Sequence, residues 1–567
     1  MMPTEQGIMV TTTQKEANNK KSASGQYTLI AAAIISVIGN INGASANELR
    51  VTGTLATDVV QQTIDDDSAN NSQIEDVTTF QVIPTINAEY RTKTFQGRWS
   101  GKYSYLDREF DDIERSDNFG EYLYSASWSP FDSLLTLSAN GALNYQNIST
   151  NGAFINDFLL NSGELAKTRS NRYEATVRLP NTPWFRAQGS LSYSDTASEE
   201  SEFEQTLNLD NDSWFSEGQI INGADAEYFF WQINGAFQTT DRSQGNQGDF
   251  VSRSGQGNFN WVFLKNLALN VTVRHEANQI SDTSDVFSEG REFNSYGAGL
   301  SYRQSENRFI TLTVNSSDSE FEESDAQTFV GVAVNWAFSP RTSFSGEYGK
   351  RFYGDSGRAT FTHNRKRFRS QIAYNEEVTS FSRLIANPEN LGVFVCADGN
   401  VDLSACFQPS TLNYDLQSGE QFVQFSTVNT DINDEVVIRK SLNAQLGYQG
   451  KRVNFSLSGQ YGFNESVEIN RQQRLYNVGI QASYTLGRYT TIDGKLSYGE
   501  TAQRSETLQN GENQSLVGSL QISRELGQSL SANLQFQYTD RDGDLNIGGG
   551  QLLSDRRVSI GLTYRYE

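Results

Sequence analysis

Cysteine, histidine and proline are scarce in this chain, and each scarcity limits what the protein can be. Its 567 residues include 2 Cys, 2 His and 8 Pro. Zinc sites need clustered Cys and His, and a hydrolase needs a base such as His beside its nucleophile; nothing in the sequence marks either arrangement. No phosphate-binding glycine loop or haem motif is present either. We therefore predict no catalytic residues, no metal site and no cofactor.

Long apolar runs and an excess of basic charge are also missing. Beyond the N-terminal region no run reaches the roughly 20 residues that a transmembrane helix needs. The formal net charge is −23, and phosphate binding needs clustered Lys and Arg, so we predict no nucleic-acid partner. We interpret the acidic clusters as solvated loops, with cation bridging to lipopolysaccharide as the alternative. They are Asp65 to Asp67, Asp107 to Glu114, Glu199 to Glu204 and Glu320 to Asp325.

What the chain does have is alternating polarity. Between Ser441 and Tyr461 (SLNAQLGYQGKRVNFSLSGQY), apolar residues alternate with polar or small ones on both sides of a turn at Gln449 to Arg452. This period predicts two antiparallel strands of about nine residues, long enough to cross a bilayer when tilted. The unit recurs to give about 22–24 strands. We predict an all-β protein formed by a single large transmembrane antiparallel β-barrel, with lipid outside and water inside.

The two ends of the chain fit this interpretation. Lys15, Lys20 and Lys21 precede the apolar stretch from Tyr27 to Ile38, and a small-residue cleavage site follows at Ala44 to Ala46. We predict a signal peptide at residues 1–46 and a barrel at residues 47–567, with a retained signal anchor as the alternative. Strand pattern resumes almost at once, so no plug domain is expected. The last strand resembles the terminal strand of outer-membrane barrels, which the barrel-insertion machinery reads.

Charged residues on the polar face are predicted to line a wet lumen, where they pair with one another. The alternative is a pore whose charges bias what passes. The longest connection, at about residues 376–433, is the candidate to fold inward as a constriction. It contains Cys396 and Cys406, which we predict to form a disulfide. The predicted lining residues are Arg98, Lys102, Arg178, Arg274, Glu276, Asp493, Lys495 and Arg565.

The layout resembles a family of bacterial outer-membrane barrels found with PEP-CTERM/exosortase and exopolysaccharide systems. The resemblance rests on the signal peptide, units such as SLNAQLGYQGKRVNFSLSGQYG, acidic strand exits such as YLDREFDD and FQYTDRDGD, and the close VSIGLTYRYE. It covers nearly all of the mature chain. It implies an envelope role tied to surface polysaccharide or sorted proteins, and it supplies no catalytic residues.

From these features we expect a non-enzymatic protein in the outer membrane of a Gram-negative bacterium, acting as a conduit or anchoring component for surface polymer. The expected partners are outer-membrane lipid and lipopolysaccharide, the insertion machinery, and surface polysaccharide or export-system proteins. A general diffusion porin is the first alternative. An outer-membrane hydrolase using His275 or His363 is the second, and an adhesion protein is the third.

Overall fold

The computed structural model describes 19 stretches of the chain, within one compact unit spanning Glu48–Glu567. The predicted signal peptide lies outside the described residues. Among those residues, no helix is long and apolar enough to cross a membrane. The described stretches are 48–66, 73–110, 113–131, 134–147, 157–160, 165–199, 209–242, 247–282, 289–305, 307–319, 327–380, 383–384, 390–397, 406–407, 420–426, 436–467, 470–506, 510–544 and 553–566.

Twenty-seven strands follow one another in the described part of the chain. They are β1 (Glu48–Asp66), β2 (Gln73–Arg91), β3 (Phe95–Phe110), β4 (Ile113–Trp128), β5 (Leu135–Asn147), β6 (Leu165–Arg178), β7 (Phe185–Ser198), β8 (Asp210–Asn222), β9 (Phe229–Arg242), β10 (Gln247–Leu264), β11 (Leu267–Asp282), β12 (Glu289–Ser305), β13 (Arg308–Ser319), β14 (Gln327–Ser339), β15 (Thr342–Arg351), β16 (Gly354–Arg365), β17 (Phe368–Ser380), β18 (Asn390–Ala397), β19 (Cys406–Phe407), β20 (Glu420–Ser426), β21 (Val436–Gln449), β22 (Val453–Ser466), β23 (Arg471–Thr485), β24 (Thr490–Ser505), β25 (Gly511–Glu525), β26 (Leu530–Gly543) and β27 (Leu553–Tyr566).

All strands except β18, β19 and β20 form one closed sheet. Each pairs antiparallel with the strand before and after it, and β17 pairs with β21. The last strand, β27, pairs with β1 from Gly53↔Tyr566 to Asp66↔Leu553 and so closes a 24-stranded sheet. Closure satisfies the backbone hydrogen bonds that an open edge would leave unpaired. The predicted β-barrel and its strand number are confirmed.

The outer face of the sheet is apolar. Trp99 and Tyr103 on β3 are 43% and 41% exposed, and Leu562 and Tyr564 on β27 are similarly exposed. An apolar surface that encircles a closed sheet suits lipid rather than water, and pairing between the strands satisfies the backbone polar groups along the ladders. Large single-chain antiparallel barrels with this face are outer-membrane proteins. The chain is an outer-membrane β-barrel.

Connections at the two ends of the barrel differ in length. At one end residues 306–307 separate β12 from β13, and residues 450–452 separate β21 from β22. At the other end residues 148–164 separate β5 from β6, and residues 381–435 separate β17 from β21. Long connections face the cell exterior in barrels of this kind, and short turns face the periplasm.

Two predictions are wrong: the solvated loop at Asp107 to Glu114 and the strand length of about nine residues. Some outer connections are short, since only residues 111–112 separate β3 from β4 and only residues 352–353 separate β15 from β16. The acidic run from Asp107 to Glu114 therefore lies mostly in strands rather than in a solvated loop. The barrel strands are also longer than nine residues, from 10 in β15 up to 19 in β1 and β2. Where the barrel strands extend beyond the lipid, both faces of the sheet meet water. Apolar and polar residues therefore no longer alternate there, although the strands stay paired.

A small separate sheet lies within the longest connection. Its order is β19-β18-β20, and both pairings are antiparallel. Cys396 and Cys406 are direct cross-strand partners between β18 and β19. Directly opposed residues have Cβ atoms close enough for a disulfide in suitable pairs. The predicted disulfide between them stays a prediction.

Candidate functional site: the barrel interior

One hairpin of the barrel leaves the wall. The pairing of β14 with β15 stops at Val332↔Tyr348, and the pairing of β16 with β17 begins at Ala359↔Tyr374. Between these limits, residues 349–358 of the β15–β16 hairpin keep ladder partners only within the hairpin. Gly354 at its turn has a φ of 110°, which a residue with a Cβ rarely adopts. The tip therefore makes no ladder pairs with the neighbouring wall strands β14 and β17.

This tip lies inside the barrel, where it is held by ion pairs. The Arg351 guanidinium donates to Glu276 on β11 twice, with Nε–Oε2 at 2.8 Å and Nη2–Oε1 at 2.5 Å. β11 and β15 are not neighbours in the closed sheet, so this contact crosses the interior. Glu276 is buried, with 4% of its side chain exposed. Two parallel N–H···O bonds fix the orientation of the guanidinium as well as pairing the two opposite charges.

A second set of charges lies beside the first. Glu347 of the hairpin accepts from Arg274 on β11 at 2.6 Å and from its own cross-strand partner Arg358 at 2.5 Å. Gln256 on β10 also donates to Glu347 at 3.3 Å. We call these residues together with Arg351 and Glu276 the charged bridge. It joins the hairpin to the wall strands β10 and β11.

Beyond the charged bridge, the hairpin tip packs into an apolar cluster. Phe352 is 5% exposed and belongs to a cluster of buried residues that come from β10, β12, β17 and β21. An apolar cluster inside a barrel that otherwise has a polar inner face excludes water from that region. The other buried members are Phe250, Phe293, Val378, Val436 and Ile438.

Two short segments of outer connections also lie inside the barrel. Asp157 accepts from Arg557 on β27 at 2.5 Å, and Phe158 stacks on Phe119 with ring centroids 4.1 Å apart. Farther along the chain, Arg383 donates to Gln238 on β9 at 2.7 Å. Burial lowers the pKa of the Arg383 guanidinium, and the charge of a nearby glutamate opposes the shift. The described beginning of the longest connection thus reaches strands on another part of the wall.

Two cavities border the charged bridge. The first, of about 690 Å³, lies between the hairpin and the inner face of β6 to β11. Its charged lining includes Glu174, Arg178, Glu217, Arg274, Glu276, Glu347, Arg351, Arg358 and Glu376. The second, of about 730 Å³, lies between the hairpin and the inner face of β8 to β17. We call the second the amide cavity because asparagines recur along its wall. They are Asn222, Asn234, Asn258, Asn260, Asn270, Asn315, Asn335 and Asn375.

The predicted lining residues occupy different places. Arg274 and Glu276 belong to the charged bridge, and Arg178 borders the first cavity. Two more make ion pairs between neighbouring strands, Arg98 with Glu89 at 3.8 Å and Lys102 with Glu121 at 2.8 Å. The rest lie far from the bridge along the sheet. Asp493 and Lys495 are in β24, and Arg565 borders a smaller cavity near the short turns.

Sequence reasoning missed the hairpin side of the bridge. Glu347, Arg351 and Arg358 were not among the predicted residues, because β15 and β16 match the ordinary hairpin pattern. A signal was present in their short length, 10 and 12 residues, and in the closely spaced Gly349, Gly354 and Gly357. Strand glycine often marks a bend in a sheet.

The histidines form no catalytic arrangement in the described part of the chain. His275 Nδ1 lies 2.8 Å from Asn294 Oδ1, and His363 Nδ1 lies 2.8 Å from Thr342 Oγ1. A hydrolytic base needs a nucleophile and an orienting group in reach. Among the described residues, no group of three or more His, Cys, Asp and Glu could hold a metal ion.

Comparisons with known proteins give likeness in structure only. No protein-family model matches the chain. No curated protein matches it either. Similar solved structures include the FrpB iron transporter from Neisseria meningitidis, with a TM-score of 0.41, 9% identity, and coverage of 93% of this chain and 83% of that one.

Two further structures give similar values. The copper transporter OprC has a TM-score of 0.38 and 8% identity, over 92% of this chain and 84% of that one. The siderophore receptor PirA from Pseudomonas aeruginosa has a TM-score of 0.36 and 8% identity, over 93% and 81%. These identities and TM-scores are too low to indicate a shared function.

Proposed function

We propose that this chain is a non-enzymatic conduit of the outer membrane, which passes polar solutes through an interior narrowed by the β15–β16 hairpin. The observation that carries the proposal is the paired hydrogen bonding of Arg351 to Glu276 across the interior. A purely structural barrel has no need of a wall hairpin that leaves the wall. A conduit does, because an inner element held by side-chain contacts rather than by ladder pairing with the wall can move and change the opening.

The polar side chains of the inner face favour polar solutes as the cargo of the conduit. Side chains on it include Ser, Thr, Asn and Gln, with charges held in pairs, and large barrels of this kind enclose water unless loops or a partner fill them. Thr311 Oγ1 donates to Ser301 at 2.9 Å and Asn270 Nδ2 to Asn260 at 3.0 Å, both between neighbouring strands. Such a wall exchanges hydrogen bonds readily with hydroxylated solutes.

The finer proposal concerns the cargo's origin. We propose that the conduit serves surface polymer, with polysaccharide or export-system proteins as partners. Its support is the resemblance of the sequence layout to exosortase-associated barrels. Retention of the purified protein on immobilised surface polysaccharide, compared with retention on unrelated dextran, tests this part separately.

Single-channel recording of the refolded protein in a planar bilayer tests the conduit. We expect low or flickering conductance from the intact protein, and a larger steady conductance from Arg351→Met, which releases the hairpin from Glu276. Arg98→Met is the matched control, because the Arg98 ion pair with Glu89, at 3.8 Å, joins two adjacent strands of the wall. It should behave as the intact protein does.

Two other results would reject the proposal. A large conductance in the intact protein that Arg351→Met leaves unchanged would make the protein a general diffusion porin. The second result is no conductance from any variant, in protein shown to be folded by its heat-modifiable gel mobility. Anchoring or adhesion would then remain as the function.

A further inference from the structure

The wall of the barrel has a seam between β4 and β5. Going outward from the short turns, these two strands stop pairing at Tyr122↔Leu143. Beyond that pair, residues 113–121 of β4 keep ladder partners in β3, and residues 144–147 of β5 keep ladder partners in β6. We call the unpaired stretch between β4 and β5 the seam. In this stretch no described ladder joins the two strands.

Aromatic rings take the place of the ladder in the seam. Phe158, from the connection between β5 and β6, stacks on Phe119 of β4 and lies edge-on to Tyr145 of β5, with the second pair of centroids 5.5 Å apart. The rings of Phe119 and Tyr145 are themselves 5.1 Å apart, although alternation along the strands places Phe119 on the inner face and Tyr145 on the outer face. Their contact therefore passes through the seam. Rings can separate without breaking backbone hydrogen bonds.

An apolar groove of about 610 Å³ lies on the outer face of β3 to β8, on the short-turn side of the seam. We call it the lipid groove. Tyr173 and Trp214 in its lining are 47% and 46% exposed, as expected of the face that meets lipid. An apolar groove that opens into lipid takes up an acyl chain. The lining includes Trp128, Ala139, Tyr173, Leu191, Tyr193 and Trp214.

A row of polar side chains lies between the lipid groove and the seam, at the level of Gly141 on β5. Asn171 is the register partner of Gly141. Its Oδ1 accepts a hydrogen bond from the Tyr124 hydroxyl at 2.9 Å, and its Nδ2 donates to Asp195 Oδ2 at 3.2 Å. The headgroup of a lipid whose chain lies in the groove would meet this row.

The charge of the row disfavours an anionic headgroup. Asp195 is joined there by Asp212, which accepts from the Tyr193 hydroxyl at 2.7 Å. Arg169 lies 3.5 Å from Asp195 and balances one of the two carboxylates. Carboxylates repel phosphate groups, whereas their oxygens accept hydrogen bonds from hydroxyl groups. The row therefore suits an uncharged, hydroxylated headgroup.

We propose that the lipid groove and the polar row bind a lipid with an uncharged, hydroxylated headgroup, and that this headgroup reaches the interior through the seam when Phe158 withdraws. The groove volume lies within the range of small-molecule sites, roughly 300–1,000 Å³. The seam then gives the conduit a lateral exit into the outer leaflet. The lateral exit rests on the proposed function, whereas lipid binding at the outer face does not.

Native mass spectrometry of protein released from vesicles tests the binding. The vesicles are phosphatidylcholine with equal small amounts of monoglucosyl diacylglycerol and phosphatidylglycerol. We expect the glucosyl lipid to be retained about tenfold more than phosphatidylglycerol, as one hydrogen bond to a charged group implies. Ala139→Trp fills the groove and should abolish this preference. Ala482→Trp is the matched control, because Ala482 is exposed on the lipid face of β23, outside the groove.

A reactive lipid tests the seam. In protein with Cys396→Ser and Cys406→Ser, Glu121→Cys places a thiol on the inner face of β4, beside the seam. A vesicle lipid with a maleimide headgroup reaches that thiol through the seam. We expect its labelling to become about tenfold faster when Phe158→Ala is added, because loss of the ring raises the open fraction of the seam. Lys495→Cys is the control, since β24 is paired on both sides there, and only water-soluble maleimide should label it.

The results separate the site from the conduit, in variants whose folding is checked by heat-modifiable gel mobility. Equal retention of the two lipids, or a preference that Ala139→Trp leaves unchanged, would overturn the site and leave only ordinary surrounding lipid. If water-soluble maleimide labels Glu121→Cys but the lipid reagent does not, with or without Phe158, the lateral exit is overturned. Selective lipid binding by a protein that never conducts would support the site and reject the conduit.

Discussion

Asn533 on β26 donates a hydrogen bond to Asp58 on β1 at 3.0 Å, across the intervening strand β27. Between them lies Gly561, the register partner of Asp58 on one side and of Asn533 on the other. A Cβ built on Gly561 would lie 1.7 Å from Asp58 Oδ1. The strands that close the barrel are thus joined over a glycine that has no room for a side chain.

Gly561→Ala should therefore weaken barrel closure. The added methyl group displaces Asp58 and breaks its bond to Asn533, and overpacking of this kind costs about 1–3 kcal/mol. We expect a lower urea midpoint for unfolding, measured by the shift in gel mobility. Gly459→Ala is the control, since a Cβ there would meet nothing within 4 Å. Equal midpoints for the two variants would contradict the role of Gly561.

Phe352 gives a second prediction. Phe352→Ala removes the ring that anchors the hairpin tip in the apolar cluster, and loss of a buried Phe typically costs about 3–5 kcal/mol. We expect the hairpin to be released, so that protease cuts at its tip and the channel conducts more.

Phe338→Ala supplies the comparison for Phe352, because Phe338 is 59% exposed at the short-turn end of β14. It should leave both the protease pattern and the conductance as in the intact protein. If Phe352→Ala leaves them unchanged too, the cluster does not hold the hairpin.

The disulfide gives a third prediction. Cys396 and Cys406 oppose each other in register. A disulfide that closes such a small loop stabilises it by about 2–3 kcal/mol, because it lowers the conformational entropy of the unfolded chain. We expect no alkylation by iodoacetamide in denatured, unreduced protein and two alkylated thiols after reduction, read by intact mass. Two modified thiols before reduction would show that the pair is free.

The sequence predicts the sheet well where one face meets lipid and the other meets water. The unit from Ser441 to Tyr461 forms β21 and β22, with the turn where the alternation stops. The same alternation places Arg274 and Glu276 on the inner face. The period of two predicts which face of the sheet each residue occupies. It locates a turn only where the alternation of apolar and polar residues stops.

The charged bridge could not be predicted, for a physical reason. The partners of Arg274 and Glu276 are Glu347 and Arg351, which lie four strands farther along the sheet. Alternation tells which face a residue occupies, but not whether a hairpin keeps its ladder with both neighbours. The glycines near the tip indicate a bend in β15 and β16, but the tertiary contacts that the tip then makes, such as those of Phe352, have no local pattern.

The strongest test of the bridge is a double-mutant cycle between Arg351 and Glu276. Removal of either partner alone leaves an unpaired charge in a buried place, which costs about 3–5 kcal/mol in such pairs. We therefore expect Arg351→Met and Glu276→Gln each to lower the free energy of unfolding in urea strongly. The double variant removes both charges, so it should be far more stable than the sum of the single losses implies.

The neighbouring-strand pair Lys102 and Glu121 serves as the matched control for this cycle. Its nitrogen and oxygen are 2.8 Å apart, but the Lys102 side chain is 42% exposed, so the coupling should stay below about 1 kcal/mol. A coupling between Arg351 and Glu276 as small as that of the control pair would mean that the bridge does not hold the hairpin. Coupling well above it would show that the hairpin is held by a pair of charges, which a change in the interior can release.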